Sequence, residues 1–195
     1  MPNPTALVLY ASKHGQTAKI ASRIAAVLRE SDVEVTLRRA ADGIEESPAG
    51  FDGFVVAASV HAGHHQHEIV EYAKEHHTLF SARPSAFVSV SLTAADATDE
   101  SRAATRELID DFLDDTGWVP DTTLPVAGAL LYREYDFVTR LVMRLIASRH
   151  ESSADTTTDH EFTDTKHDHE LTDWEALDRF ASAFASTLIH QSSTT

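Results

Sequence analysis

The sequence predicts an α/β protein in which a five-stranded parallel sheet carries helices on both faces. Three observations lead there. Strand-like segments alternate with segments of helical periodicity along the chain, and that alternation implies parallel strands joined by right-handed crossovers. Phe54-Val55-Val56-Ala57-Ala58-Ser59-Val60 is a nearly continuous apolar run, the signature of a strand covered on both sides. A chain of 195 residues with 42% hydrophobic content can bury one sizeable core. It has no linker long enough to separate two, so residues 1–195 are expected to form a single domain.

The elements follow in order. Leu7-Val8-Leu9-Tyr10 is the first strand. It breaks into Ser12-Lys13-His14-Gly15-Gln16-Thr17, after which Ile20, Ile24, Val27 and Leu28 recur at helical spacing. Val33-Glu34-Val35-Thr36-Leu37 alternates as the second strand, and Ala40 to Gly53 is a polar connection containing Pro48 and Gly50. The third strand, Phe54 to Val60, ends in the turn His61-Ala62-Gly63-His64. Ile69, Val70, Ala73 and Leu79 then form the apolar side of a helix. Ala86 to Val90 is a fourth strand begun after Pro84. It opens into Ser91-Leu92-Thr93-Ala94-Ala95-Asp96, and a helix runs from about Asp99 to Asp115. Val119 to Leu131 reads as the last strand, interrupted at Pro125 and with Gly128 near its end.

The first strand, loop and helix make a phosphate seat. The first N–H groups of a helix have no internal partner and the macrodipole places partial positive charge there, so an anion against Ser12, Thr17 and the loop amides is stabilised. The seven glycines (15, 43, 50, 53, 63, 117 and 128) fit neither GxxxxGK[ST] nor GxGxxG. Hydroxyls take their place. Ser12, Gly15 and Thr17 resemble the S/T-x-T-G-x-T loop of flavodoxin-like proteins, which grips the phosphate of FMN. His14 stands where that family usually has a hydroxyl. An ordinary strand-to-helix turn capped by Ser12 or Thr17 is the alternative. In open parallel sheets ligands sit outside the carboxyl ends of the strands, and three strand ends here are small, polar and hydroxyl-rich: 12–17, 59–64 and 91–96.

Composition narrows the function classes. Without a cysteine the chain has no disulfide, thiolate metal site, iron–sulfur ligation or cysteine nucleophile, so redox chemistry would need a bound cofactor. The 31 acidic and 16 basic residues give a net charge of −15, which disfavours nucleic acid and resembles the salt-adapted cytosolic proteins of halophilic organisms. No run of about 18 apolar residues is present, and the opening MPNPTALVLYAS has no basic flank before an apolar core. A cytoplasmic protein is expected.

The segments ASKHGQTAKIA, ASVHAGHH, RPSAFVSVSL, VAGALLYREYDFVTRLVMRLI and LTDWEAL, in this order and spacing, resemble the oxygen-independent, menaquinone-dependent protoporphyrinogen IX dehydrogenase family. The resemblance implies a flavodoxin-like three-layer sandwich. It also implies FMN as cofactor, a porphyrinogen as electron donor, a quinone of the membrane pool as acceptor, and an insertion near the last strand, here about 132–171. It further implies that Ser12, Lys13, His14, Gly15, Gln16 and Thr17 hold the FMN phosphate. Ser59, Val60, His61, Ala62, Gly63 and His64 would flank one side of the ring, and Ser91, Leu92, Thr93 and Ala94 the other. His61 and Ala62 stand where an Arg and a Tyr are typical, and Glu151 to Glu170 is longer and more acidic than the family pattern.

Within the insertion, Tyr135 to Ser148 places Val138, Leu141, Val142 and Leu145 on one helical face and Arg140 and Arg144 on the other, with Arg133 a heptad before Arg140. Such a helix can lie on an acidic membrane surface, giving peripheral contact with the inner face of the membrane, or attract porphyrin propionates. It can equally pack on its own sheet with solvated arginines. Two histidine groups invite a metal reading: His61, His64, His65 and His67, then His160, His167 and His169. Neither has the helical H-x-x-x-H pairing with a nearby carboxylate that marks a zinc site, so no metal is expected. His61 and His64, at a strand end beside the implied ring, can donate a hydrogen bond to reduced flavin or move a proton. No G-x-S-x-G elbow or triad order is present. An electron carrier with protein partners alone stays the competing function, a domain whose loops have lost flavin a third, and a homo-oligomer is left open.

Overall fold

In a computed structural model of the chain, residues 3–42, 47–96, 98–130 and 169–192 are described. Strand β1 (Thr5–Ala11) leads to helix α1 (Gln16–Glu30) and β2 (Glu34–Arg39). β3 (Gly53–His61) turns back into the short β4 (His64–His65) before α2 (His67–Ser81). β5 (Ser85–Ser91), α3 (Asp99–Thr116) and β6 (Thr122–Ala127) follow. Two more short strands, β7 (Ala129–Leu130) and β8 (His169–Glu170), pair antiparallel with each other, and α4 (Trp174–Ser192) closes the described chain.

Five strands lie parallel in the order β2-β1-β3-β5-β6, and β4 pairs antiparallel with β3. Alternation along the strands divides the core. Ala6 and Val8 of β1 face α1 and α4 with Val55, Ala57, Val88 and Val126. Leu7, Leu9 and Ala11 face α2 and α3 with Phe54, Val56 and Phe87. Side chains of successive strand residues point to opposite faces, so apolar residues in an unbroken run serve both layers.

The sequence and the structure differ at three elements. The last strand begins at Thr122 instead of Val119, because Trp118 is drawn into the α2/α3 layer with Nε1 donating to Ser85 Oγ at 3.2 Å. Its ladder ends at Ala127, and residues 129–130 pair with 169–170 instead of continuing the sheet. Pro125 is tolerated because β6 is an edge strand. The third strand extends to His61. Its hairpin turns on Ala62 and Gly63 with φ of 52° and 87°, the positive pair that a two-residue primed turn requires. α4, a helix the sequence reading leaves unassigned, buries Leu177, Ala181, Phe184, Ala185 and Leu188 on the α1 side.

Gly53 shows how closely α4 approaches. A Cβ there would stand 2.6 Å from Leu188 Cδ1 and 2.9 Å from the Pro84 carbonyl oxygen. Arg23 of α1 meets Asp178 of α4 through two hydrogen bonds of 2.7 Å, which hold that carboxyl below its ordinary range. The chain divides into two compact units: 1–128 with 171–195, and Ala129–Glu170. The basic helix read at Tyr135 to Ser148, Arg133, Arg140 and Arg144 lie outside the described residues, as do His160 and His167.

Candidate functional site

The switch point of the sheet falls between β1 and β3, because β2 lies on one side of β1 and every later parallel strand on the other. A crevice opens there at the carboxyl ends. Its first wall is the loop after β1. Gly15 takes φ of 92° at the head of α1, and its N–H donates to Ser12 Oγ at 2.9 Å, which curls the loop around the helix terminus. Thr17, in the first turn, is 1% exposed and its hydroxyl has no hydrogen-bond partner. Buried polar groups are seldom left unpaired. An unpaired hydroxyl in the first turn of a helix, where the N–H groups lack intrahelical acceptors, has the donor character of a phosphate site.

The other residues of this loop divide their work. Gln16 is buried and its Nε2 donates to Thr172 Oγ1 at 2.8 Å, while Thr172 donates to the Ala127 carbonyl at 2.9 Å. Its side chain therefore braces the loop against the entrance of α4. Lys13, His14 and Gly15 are exposed. Lys13 Nζ lies 2.7 Å from His61 Nε2, so the ammonium donates and the ring's own N–H sits on Nδ1.

The second wall is the β3–β4 hairpin. Ser59 Oγ accepts from Gln66 Nε2, His61 faces His14 with ring centroids 6.3 Å apart, and His64 is exposed. Val60 pairs with His65, and Ala62 and Gly63 form the exposed tip. The third wall is a 3-10 turn, Thr93–Ala95, after β5. Ser91 Oγ accepts from the Ala94 N–H at 3.3 Å and lies 3.0 Å from Thr93 Oγ1, which accepts from Thr105 of α3 at 3.2 Å. Leu92 precedes the turn, half-buried. The three loops named from the sequence are thus brought to one end of the sheet.

Several contributors carry no local signal. His65 is buried against Phe87 and Phe112, with centroids 5.2 and 5.1 Å away, and its Nε2 lies 3.0 Å from Ser89 Oγ. Burial, with the nearby His64 adding to it, pushes its pKa down to about 4. Arg39, from the end of β2, lines a cavity of about 360 Å³ with Ser12, Lys13, His61, His64 and Gln66. Among the described residues no group of three His, Asp or Glu side chains could hold a metal ion, and no helix is long and apolar enough to cross a membrane.

Residues 7–157 match the family described as Flavodoxin domain. A protoporphyrinogen IX dehydrogenase (quinone) of Leishmania major is 34% identical over 185 residues, covering 94% of this chain and 76% of that protein. One from Escherichia coli is 31% identical over 179 residues, 92% of this chain and 93% of its own. This chain belongs to the protoporphyrinogen IX dehydrogenase (quinone) family, within the flavodoxin-domain proteins. Its fold is flavodoxin-like: oxidised Flavodoxin 2 from Bacillus cereus superimposes with a TM-score of 0.57 at 19% identity, covering 94% of this chain and 99% of that one. In this dehydrogenase-family chain the first loop brings the hydroxyls of Ser12 and Thr17 to the head of α1.

Proposed function

We propose that the protein oxidises protoporphyrinogen IX, with FMN as its prosthetic group and a quinone, menaquinone in the first place, as electron acceptor. The observation that carries the reading is the buried, unpartnered Thr17 hydroxyl at the head of α1, in a chain 31–34% identical to dehydrogenases of that name over most of its length. FMN, when bound, supplies the electron uptake from the porphyrinogen and its release to the quinone.

The chain's own residues bind and orient. Ser12 shapes the loop by accepting from the Gly15 N–H, and the amide and hydroxyl of Thr17 at the head of α1 hold the phosphate. The hairpin at 59–64 and the turn at 91–94 flank the ring, Gln66 fastening the first through Ser59 and Ser91 the second through Thr93 and Ala94. His61 holds or moves a proton at Nδ1, because Lys13 occupies Nε2, and the exposed His64 is its alternate. The insertion at about 132–171 is part of this single flavin domain of 1–195. Within it Arg133, Arg140 and Arg144 border the substrate or the membrane surface, on which a cytoplasmic protein would dock peripherally.

The test uses FMN-reconstituted protein under anaerobic conditions, following protoporphyrin fluorescence with and without menaquinone. Quinone-dependent oxidation is expected. Bound flavin with no quinone-coupled oxidation would overturn the reading in favour of a carrier. Arg140→Ala with Arg144→Ala is expected to weaken quinone-coupled turnover or vesicle association, and unchanged values for both remove those arginines from the site.

A further inference from the structure

We propose that Arg102 and Arg106 of α3 form a clamp for the propionate carboxylates of the porphyrinogen, beside the third wall of the crevice. This rests on the proposed activity and adds which end of the substrate the protein reads. Residues four apart share a helix face, so the two guanidinium groups rise from one side of the first turns of α3. Both line a cavity of about 340 Å³ with Ala94, Asp96, Thr105 and Pro125. That volume is in the range of small-ligand sites and suits one edge of a tetrapyrrole. Ala94 and Pro125 add apolar lining for the pyrrole edge that carries each propionate.

The helix bearing the arginines is fastened to the loop proposed to flank the flavin. Thr105 donates to Thr93 Oγ1 at 3.2 Å, and Thr93 lies 3.0 Å from Ser91 Oγ. A carboxylate held by the clamp therefore brings its macrocycle toward that wall. Charge supports the assignment. A protein of net charge −15 repels a dicarboxylate at long range, so binding needs a local cationic pair. Arg106 has no ion pair among the described residues. Arg102 meets Asp99 at 3.3 Å, but the two side chains are 60% and 101% exposed, and a solvated pair of that kind is weak. An incoming carboxylate displaces it at little cost. Asp96, the acidic group in the cavity, accepts from Thr98 and Ser101 at 3.1 and 2.9 Å and so is turned to the head of α3. Planar guanidinium groups suit carboxylates because they bind them bidentately.

The test compares FMN-loaded wild type, Arg102→Gln with Arg106→Gln, and Arg102→Lys with Arg106→Lys. Binding of protoporphyrin IX and of its dimethyl ester is titrated by fluorescence, and KM and kcat are measured with protoporphyrinogen IX. The Gln pair is expected to bind protoporphyrin IX roughly tenfold more weakly or worse, to raise KM with kcat kept, and to bind the diester as the wild type does. The Lys pair is expected to recover part of the loss. Equal binding of protoporphyrin IX by the Gln pair and the wild type, or equal binding of acid and diester by the wild type, overturns the clamp. The binding titration needs no turnover. A wild type that binds but does not oxidise therefore refutes the activity alone, whereas turnover unaltered in the Gln pair refutes the clamp alone.

Discussion

Thr17 is the residue at which folding and binding pull in opposite directions. An unpaired buried hydroxyl costs about 1–3 kcal/mol, a penalty that the flavin-free fold carries and a bound phosphate relieves. Thr17→Val keeps the shape and deletes the hydroxyl. The flavin-free variant is expected to unfold at the same urea concentration as the wild type or a higher one, while its FMN affinity, followed by flavin fluorescence, falls about tenfold. Lost stability with unchanged FMN affinity would return the hydroxyl to packing. His65 governs acid sensitivity. Its folded pKa of about 4 lies below the ordinary 6.5, chiefly through burial. Between those values the unfolded chain binds the proton that the folded one refuses. Stability present above pH 6.5 is therefore lost as the pH falls toward 4, by at most roughly 3 kcal/mol. Urea titrations at pH 7 and pH 4.5 are expected to show a larger loss for wild type than for His65→Gln.

Among the elements, β3 and α4 set the tightest constraint. At Gly53 a methyl would meet both a leucine side chain and a backbone carbonyl, and the carbonyl cannot give way without moving the start of β5, since Phe54 N–H donates to it at 2.9 Å. Gly53→Ala is expected to destabilise by about 1–3 kcal/mol, seen as a lower Tm by about 2–4 °C per kcal/mol. An unchanged Tm would mean that α4 can retreat. The 3.6-residue recurrence of Leu177, Ala181, Phe184 and Leu188 is readable in the chain, but the surface it covers is not. Nothing local to 174–192 specifies α1 as the partner, and the Arg23–Asp178 contact spans 155 positions. The strand at 122–127 teaches the same lesson. Its onset is moved by Trp118, whose burial under α2 and α3 overrides the β-branched residue after it and leaves Val119 73% exposed.

For the molecule as a whole, charge is the dominant variable. With −15 spread over 195 residues, self-repulsion opposes folding at low ionic strength and is screened within about 3 Å at 1 M salt. The Tm is expected to rise by several degrees between 0.1 and 2 M potassium chloride. A Tm independent of salt would mark an ordinary acidic protein with no salt adaptation. The same excess makes the few cations conspicuous. Lys13 and Arg39 line the cavity at the first loop, and Arg102 and Arg106 the separate one beside the turn after β5.

The sequence by itself determined the alternation of strands and helices, the strand–loop–helix order at the start of the chain and the three polar strand ends, because strand periodicity, helix periodicity and turn chemistry are properties of a few neighbouring residues. Tertiary structure alone decided that β1 and β3 lie side by side, that Gln16 is braced by a threonine 156 positions away, that His65 is sealed between two phenylalanines, and that two arginines of α3 share a cavity with the loop after β5. Those relations depend on which buried faces find each other in the packed core, and no local pattern encodes that choice.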